Sequence, residues 1–184
     1  GKSVMEVMYD ELLKNEGKTF VWAPFSPYPD HNLDTYKMMM EFESSVAGLS
    51  DGGAHCGLIC DASMPTWNIA HYTRDRVKGD KIPLEFLIRK QTKETAETFG
   101  LMDRGQIKEG YLADINIIDH ENLCVYKPEM VHDLPTGSRR IIQKAGGYIA
   151  TIKSGVVTFK NDQATGELPG TVLRGERTAE AISA

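Results

Sequence analysis

Cysteine is scarce in this 184-residue chain: Cys56, Cys60 and Cys124 are the only three. An odd, low count excludes a disulfide framework. No apolar run approaches the ~20 residues that a membrane-spanning helix needs. The N-terminal GKSVMEVMYDELLK lacks the basic start and apolar middle of a secretion signal. These absences set the expectation of a cytoplasmic protein with no membrane partner. Charge of one sign is also missing: 21 basic and 26 acidic residues are interspersed, for a net charge of −5. A nucleic-acid partner would leave a basic stripe, so none is expected. There is no Gly-x-Ser-x-Gly, no phosphate-binding glycine loop and no His-Glu-x-x-His, which removes the chemistries those motifs carry. HCGLIC (55–60) groups one histidine with two cysteines, but zinc knuckles come in pairs and no second one exists. Cys56 and Cys60 therefore read as buried free thiols.

Apolar residues make up 41% of the chain, enough for a packed core and against disorder. Ser3 and Glu6 form a capping-box pattern ahead of Val4, Val7, Met8 and Leu12 at helical spacing, and Gly17 stops that helix. KTFVWAPF (18–25) reads as a strand. Asn32 caps a second helix over 33–42, and SVAGL (45–49) reads as a second strand. Helix, strand, helix, strand points to a parallel α/β arrangement. Two helices follow, one capped by Ser63 near Pro65 and one opened by Pro83. In the latter, Leu84, Leu87, Ile88, Gln91, Thr95 and Phe99 share a face, and Gly100 is the C-cap. Beyond Gly100 the helical period disappears. KEGYLADINIIDHENLCVY and GSRRIIQKAGGYIATIKSGVVTFKN read as an antiparallel β unit, with a hairpin turn at Lys153-Ser154-Gly155.

The junction GLSDGGAH (48–55) raises the functional question. In parallel α/β folds, functional residues gather at the C-terminal ends of strands, and Asp51 has that placement. Gly52 and Gly53 allow a sharp turn and close approach of a ligand. From spacing alone, Asp51 is either a turn cap or a catalytic carboxylate. His55 is either a structural histidine or one that contacts substrate or metal. HDLPTG (132–137) reads as a turn, and Arg74-Asp75-Arg76 as a solvated face.

Four stretches in order carry a resemblance: GLSDGGAH, FGLMDRGQIKEGYLADINIID (99–119), MVHDLPTGSRRIIQKAGGYIATIKSG (130–155) and TGELPGTVLRG (165–175). Together they resemble the C-terminal part of the amidohydrolase superfamily, in the branch of the D-aminoacylases, or N-acyl-D-amino-acid deacylases. The resemblance implies an α/β fold: the C-terminal part of a metal-dependent hydrolase (β/α)8 barrel followed by a small antiparallel β-sandwich portion. Residues 1–100 would be the barrel segment with strands seven and eight, 101–175 the sandwich portion, and 176–184 a flexible tail. It implies that Asp51 ends strand eight, sits at the metal and acts as general base. Gly52, Gly53 and His55 would line the substrate. The implied substrate is a small-molecule N-acyl amino acid or related amide, and the implied cofactor is zinc. The other metal ligands of the family are not in this chain, so alone it is expected neither to hold zinc tightly nor to hydrolyse amides. A missing N-terminal barrel portion or a homo-oligomer is the expected partner. The alternative is a non-catalytic truncated module that self-associates or complements a partner chain. In the family an arginine shortly after the strand-eight aspartate grips the substrate carboxylate. Here the first arginine after Asp51 is Arg74, weighed for that role and not adopted.

Overall fold

Residues 1–21, 31–48 and 52–175 are described by the structure, a computed structural model. Asp51, Leu49 and Ser50, the stretch 22–30 and the tail 176–184 lie outside the described residues. The chain divides into two compact units, Gly1–Thr35 and Tyr36–Ala184.

In the first unit, α1 (Val4–Gly17) begins as its sequence dictates. The Ser3 hydroxyl accepts from the Glu6 N–H, and the Glu6 carboxylate accepts from the Ser3 N–H at 2.7 Å, closing the capping box. Lys14 leaves helical geometry, and Asn15, Glu16 and Gly17 all take positive φ. None of the α1 residues is buried; its apolar positions Val4, Met5, Tyr9 and Leu13 are all exposed. Strand seven was expected at 18–25. Thr19–Val21 form no strand, and the rest of that stretch lies outside the described residues. α2 (Asp34–Glu41) is capped as expected, the Asn32 side chain accepting from the Asp34 N–H at 2.8 Å.

The expected strand at 45–49 is corrected too: Ser45, Val46, Ala47 and Gly48 form no ladder. The reason is where their carbonyls go. The Lys90 ammonium, buried to 4% exposure, donates to Phe42 O at 3.0 Å and Ser45 O at 2.6 Å, and pairs with Glu94 at 3.1 Å. Its three donors are thereby used. The Thr95 hydroxyl lies 3.4 Å from Ala47 O while bonding Lys90 O at 2.8 Å. Side chains of a helix thus meet carbonyls that a neighbouring strand would otherwise meet.

α3 (Met64–Ala70) runs on into a π-turn, His71–Asp75. α4 (Leu84–Arg89) follows Pro83, passes through a second π-turn, Lys90–Glu94, and ends as α5 (Thr95–Thr98). Gly100, at φ +69, closes it, with Gly100 N–H on Glu97 O at 3.0 Å and Leu101 N–H on Ala96 O at 2.9 Å. The π-turn rotates the later residues relative to an unbroken helix. The face read from the sequence is therefore right at Leu87, which is buried, and wrong at Phe99, which is 67% exposed; Lys90 and Ala96 are buried instead. Tyr72, Ile82, Leu87 and Leu123 form the centre of the core.

The β part is antiparallel, as expected. β1 (Ile115–Ile118), β6 (Tyr148–Lys153), β7 (Val156–Lys160) and β8 (Gln163–Ala164) form a sheet in the order β1-β6-β7-β8. β2 (Cys124–Val125) pairs with β5 (Ala145–Gly146), and β3 (Glu129–Val131) with β4 (Arg140–Ile142). The β6–β7 turn has Ser154 and Gly155 at φ +52 and +81, as a type I′ hairpin requires. Asp114 pins it, accepting from Lys153 at 2.9 and 3.0 Å and from the Ser154 N–H at 2.9 Å. Gly105, at φ +83, lies so close to the Lys93 backbone that a Cβ there would come within 2.9 Å of Lys93 Cα, which explains the glycine of the DRG motif. No helix among the described residues is long and apolar enough to cross a membrane.

Two outcomes follow. Lys90→Met leaves the Phe42 and Ser45 carbonyls without their donor and takes one of two cationic partners from Glu94, which Arg89 still pairs at 2.8 Å, and is expected to lower unfolding free energy by about 3 kcal/mol, read as a lower urea midpoint. Asp114 is the second. Burial opposes its ionisation, but the Lys153 and Ser154 donors and the nearby Arg104 hold its carboxyl below the usual carboxylate value. A depressed folded value adds stability above the unfolded pKa of ~3.9 that is lost as pH falls through the folded one. The stability advantage of wild type over Asp114→Asn should therefore be full above pH ~5 and shrink below pH ~4 in urea titrations.

Candidate active site

Gly52, Gly53 and His55 lie in one exposed turn. Gly53 has φ +118, a conformation that needs glycine. His55 is left-handed at φ +48, tolerated by histidine better than by most residues. Its carbonyl accepts from the Leu58 N–H at 2.7 Å and the Ile59 N–H at 2.9 Å. The His55 backbone therefore nucleates the turn, and its ring makes no hydrogen bond among the described residues. Asp51, expected beside it, lies outside the described residues.

This turn is tied to the β part by a bond no motif announces. The Ile141 N–H, in β4, donates to Cys56 O at 2.7 Å. The β3–β4 hairpin so anchored has a 3₁₀ tip, Pro135–Gly137. Asp133 and Arg140 close its base with two bonds of 2.7 Å. The Arg140 guanidinium holds the Asp133 carboxyl below the usual carboxylate value. Asp133 thus serves as the strut of the HDLPTG turn. Farther along, Ser63 does not cap α3 as its sequence position suggested: its own backbone is helical at φ −83, ψ −2, and its hydroxyl bonds the Gln143 side chain. The Gln143 amide donates in turn to Tyr126 O at 2.8 Å. The only trace of this linkage in the sequence is a glutamine inside RIIQKAG.

Arg74-Asp75-Arg76 is not a solvated face. Arg76 is 3% exposed, its guanidinium 5.4 Å from the Tyr72 ring centre. Arg74 spends all five of its donors. Nε and one terminal nitrogen take the Asp75 carboxylate at 2.6 and 2.8 Å. The remaining donors go to the carbonyls of His120, Glu121 at 2.9 Å and Leu123 at 2.8 Å. It joins the helices to the β1–β2 connection and has no donor left for a substrate carboxylate. Beside it, Thr73 meets His120 Nε2 at 2.7 Å, and Trp67 stacks on His71 at 4.4 Å between ring centres. Burial, with the Arg76 charge, holds the His71 pKa below that of an ordinary histidine.

Among the described residues no three of His, Cys, Asp and Glu converge as a metal site. Burial and the Asp61 charge push the Cys60 thiol up, away from the thiolate a metal prefers. A groove of about 460 Å³ lies along Leu84, Ile88, Thr92 and Gly105, and includes none of Gly52, Gly53 or His55. Arg74→Lys should cost about 2 kcal/mol in urea unfolding, because three ammonium donors cannot span five acceptor positions.

The model of the amidohydrolase family matches residues 19–159. A D-aminoacylase of Alcaligenes xylosoxydans xylosoxydans is 33% identical over 105 residues, covering 57% of this chain. That match spans 19% of the D-aminoacylase, so most of that protein has no counterpart in the aligned stretch. No solved structure matches. The family match encloses the GLSDGGAH junction, the turn built on His55 and the β3–β4 hairpin that holds it, and by that match the chain belongs to the amidohydrolase family.

Proposed function

We propose that this chain carries part of the site of a hydrolase that cleaves the C–N bond of an N-acyl amino acid or a related amide. The observation that carries the reading is the family match across residues 19–159, which contains Asp51, Gly52, Gly53 and His55 together. The relative's name, D-aminoacylase, supplies the substrate class. Asp51 is the general base. It takes a proton from the attacking water and returns it to the departing amine, a two-way transfer suited to a carboxylate. Gly52 and Gly53 leave room for the substrate, and the His55 ring, which makes no hydrogen bond among the described residues, contacts it. In this reading residues 1–100 are the end of a (β/α)8 barrel and 101–175 a β-sandwich portion.

Zinc is the cofactor of this reading, with Asp51 beside it. The described residues supply no set of three ligands for it, where a catalytic zinc takes three protein ligands. The remaining ligands come from outside this chain, which alone neither holds zinc tightly nor turns over amides. A second reading, a non-catalytic module that self-associates or complements a partner, draws support from α1, which buries none of its residues.

A chimera decides between them. Residues 19–159 of this chain, the stretch the family model matches, replace their counterpart in the D-aminoacylase. Amine release from N-acetyl amino acids is expected, and Asp51→Asn in the chimera should reduce it by about 10²- to 10⁴-fold. A folded but inactive chimera, or one indifferent to Asp51→Asn, refutes the catalytic reading and leaves the module.

A further inference from the structure

Two histidines meet the π-turn His71–Asp75, and their hydrogen bonds set them apart. The Thr73 hydroxyl gives its one proton to Ile69 O at 2.7 Å. Toward His120 Nε2, 2.7 Å away, it can only accept. Nε2 of His120 therefore carries a proton, and a second proton on Nδ1 leaves that bond intact. His71 has no such bond: its ring makes no hydrogen bond among the described residues. It is held by other rings instead. It stacks on Trp67 with centres 4.4 Å apart and planes 7° from parallel, and meets Tyr72 at 4.9 Å and near a right angle.

The charges around this ring oppose a proton on it. The Arg76 guanidinium, 3% exposed, lies 5.4 Å from the centre of the same Tyr72 ring. Burial and the Arg76 charge both disfavour an imidazolium, and Asp75 favours one. The Asp75 carboxylate is already held by Arg74 through two bonds, and Lys81 also acts on it. The other elements bring little to His71. Asp119 and Cys124, at the β1–β2 connection, act on Arg74. The Tyr148 hydroxyl of β6 bonds Thr66 at 2.7 Å, and the uncharged Gln91 reaches Pro65 O at 3.2 Å. Among the described residues none of these groups accepts a hydrogen bond from the His71 ring.

The same residue closes the turn. His71 O accepts the Arg76 N–H at 2.8 Å. Arg74, which ties the helices to the β1–β2 connection, sits within that turn. His71 is half-buried and Trp67 is 39% exposed, so a charged imidazole has a short way to water. We propose that His71 is a proton-operated latch: on taking up a proton its ring turns off Trp67 into water, and the π-turn that carries the Arg74 clamp loosens. Turns of this kind interrupt helices where a function needs a joint, and histidine is the side chain that changes charge in the physiological range.

The sign is fixed by the surroundings. A histidine held below its unfolded value of ~6.5 contributes stability that is present above that pH and is lost as the pH falls below it. The test is an NMR titration of the full 184-residue chain from about pH 8 to about pH 4.5. It follows the His71 and His120 rings, the Trp67 indole N–H, the Arg74 Nε–H and the Arg76 amide. His71, Trp67, Arg74 and Arg76 are expected to share one midpoint below ~6.5. Across it, protection of the Arg76 amide, corrected for its intrinsic exchange rate, should fall about tenfold or more. His71→Phe keeps a flat ring on Trp67 that cannot take a proton, and should abolish the shared transition. His120→Gln should leave it in place. Trp67 and Arg76 unmoved while His71 titrates in wild type would overturn the proposal, a result that needs no variant. So would a transition that persists in folded His71→Phe, or one that follows His120.

Discussion

A backbone carbonyl taken from water must find a donor, and in this chain two runs of carbonyls find theirs on the side chains of helices. Lys90 serves Phe42 and Ser45. Arg74 serves His120, Glu121 and Leu123. Each of these cations sits in a π-turn, where the helix is rotated off its regular register. Removing either one would unmake a junction between elements far apart in sequence.

These junctions set the surroundings of the candidate site. The segment that leads toward Asp51 is gripped by Lys90, and the turn that leaves it is held by the Ile141 N–H on Cys56 O. Between those two holds lie Gly48 and the residues up to His55. The chemistry proposed for Asp51 needs a carboxylate held at one place while water and amide are brought to it. Anchorage on both sides, one from a helix and one from a β-hairpin, is what the described residues contribute to that requirement.

Much of this was legible in the sequence, and the failures have particular causes. Local signals held: the Ser3–Glu6 capping box, the Asn32 cap, Gly100 and the Ser154-Gly155 turn all appear where short-range chemistry places them. The antiparallel character after Gly100 held for the same reason, since alternation and turn residues are read within a few positions. The strand at 45–49 failed because β-propensity says nothing about whether a neighbouring strand is present to pair with. Phe99 failed because the π-turn at Lys90–Glu94 has no sequence signature and shifts every later residue. Arg74 and Arg76 failed because charge patterns alone read as surface, whereas their partners lie 46 to 49 residues away or in an aromatic ring. At the site, Gly53 and the His55 turn were visible, and the Cys56–Ile141 link, 85 positions apart, was not.

That link joins the turn at His55 to the β3–β4 hairpin. Amide hydrogen exchange measured residue by residue tests it directly. The Ile141 N–H is expected to exchange as slowly as the β3–β4 ladder amides beside it. Exchange of Ile141 at the rate of an open loop, with its ladder neighbours still protected, would show that the hairpin does not hold the turn.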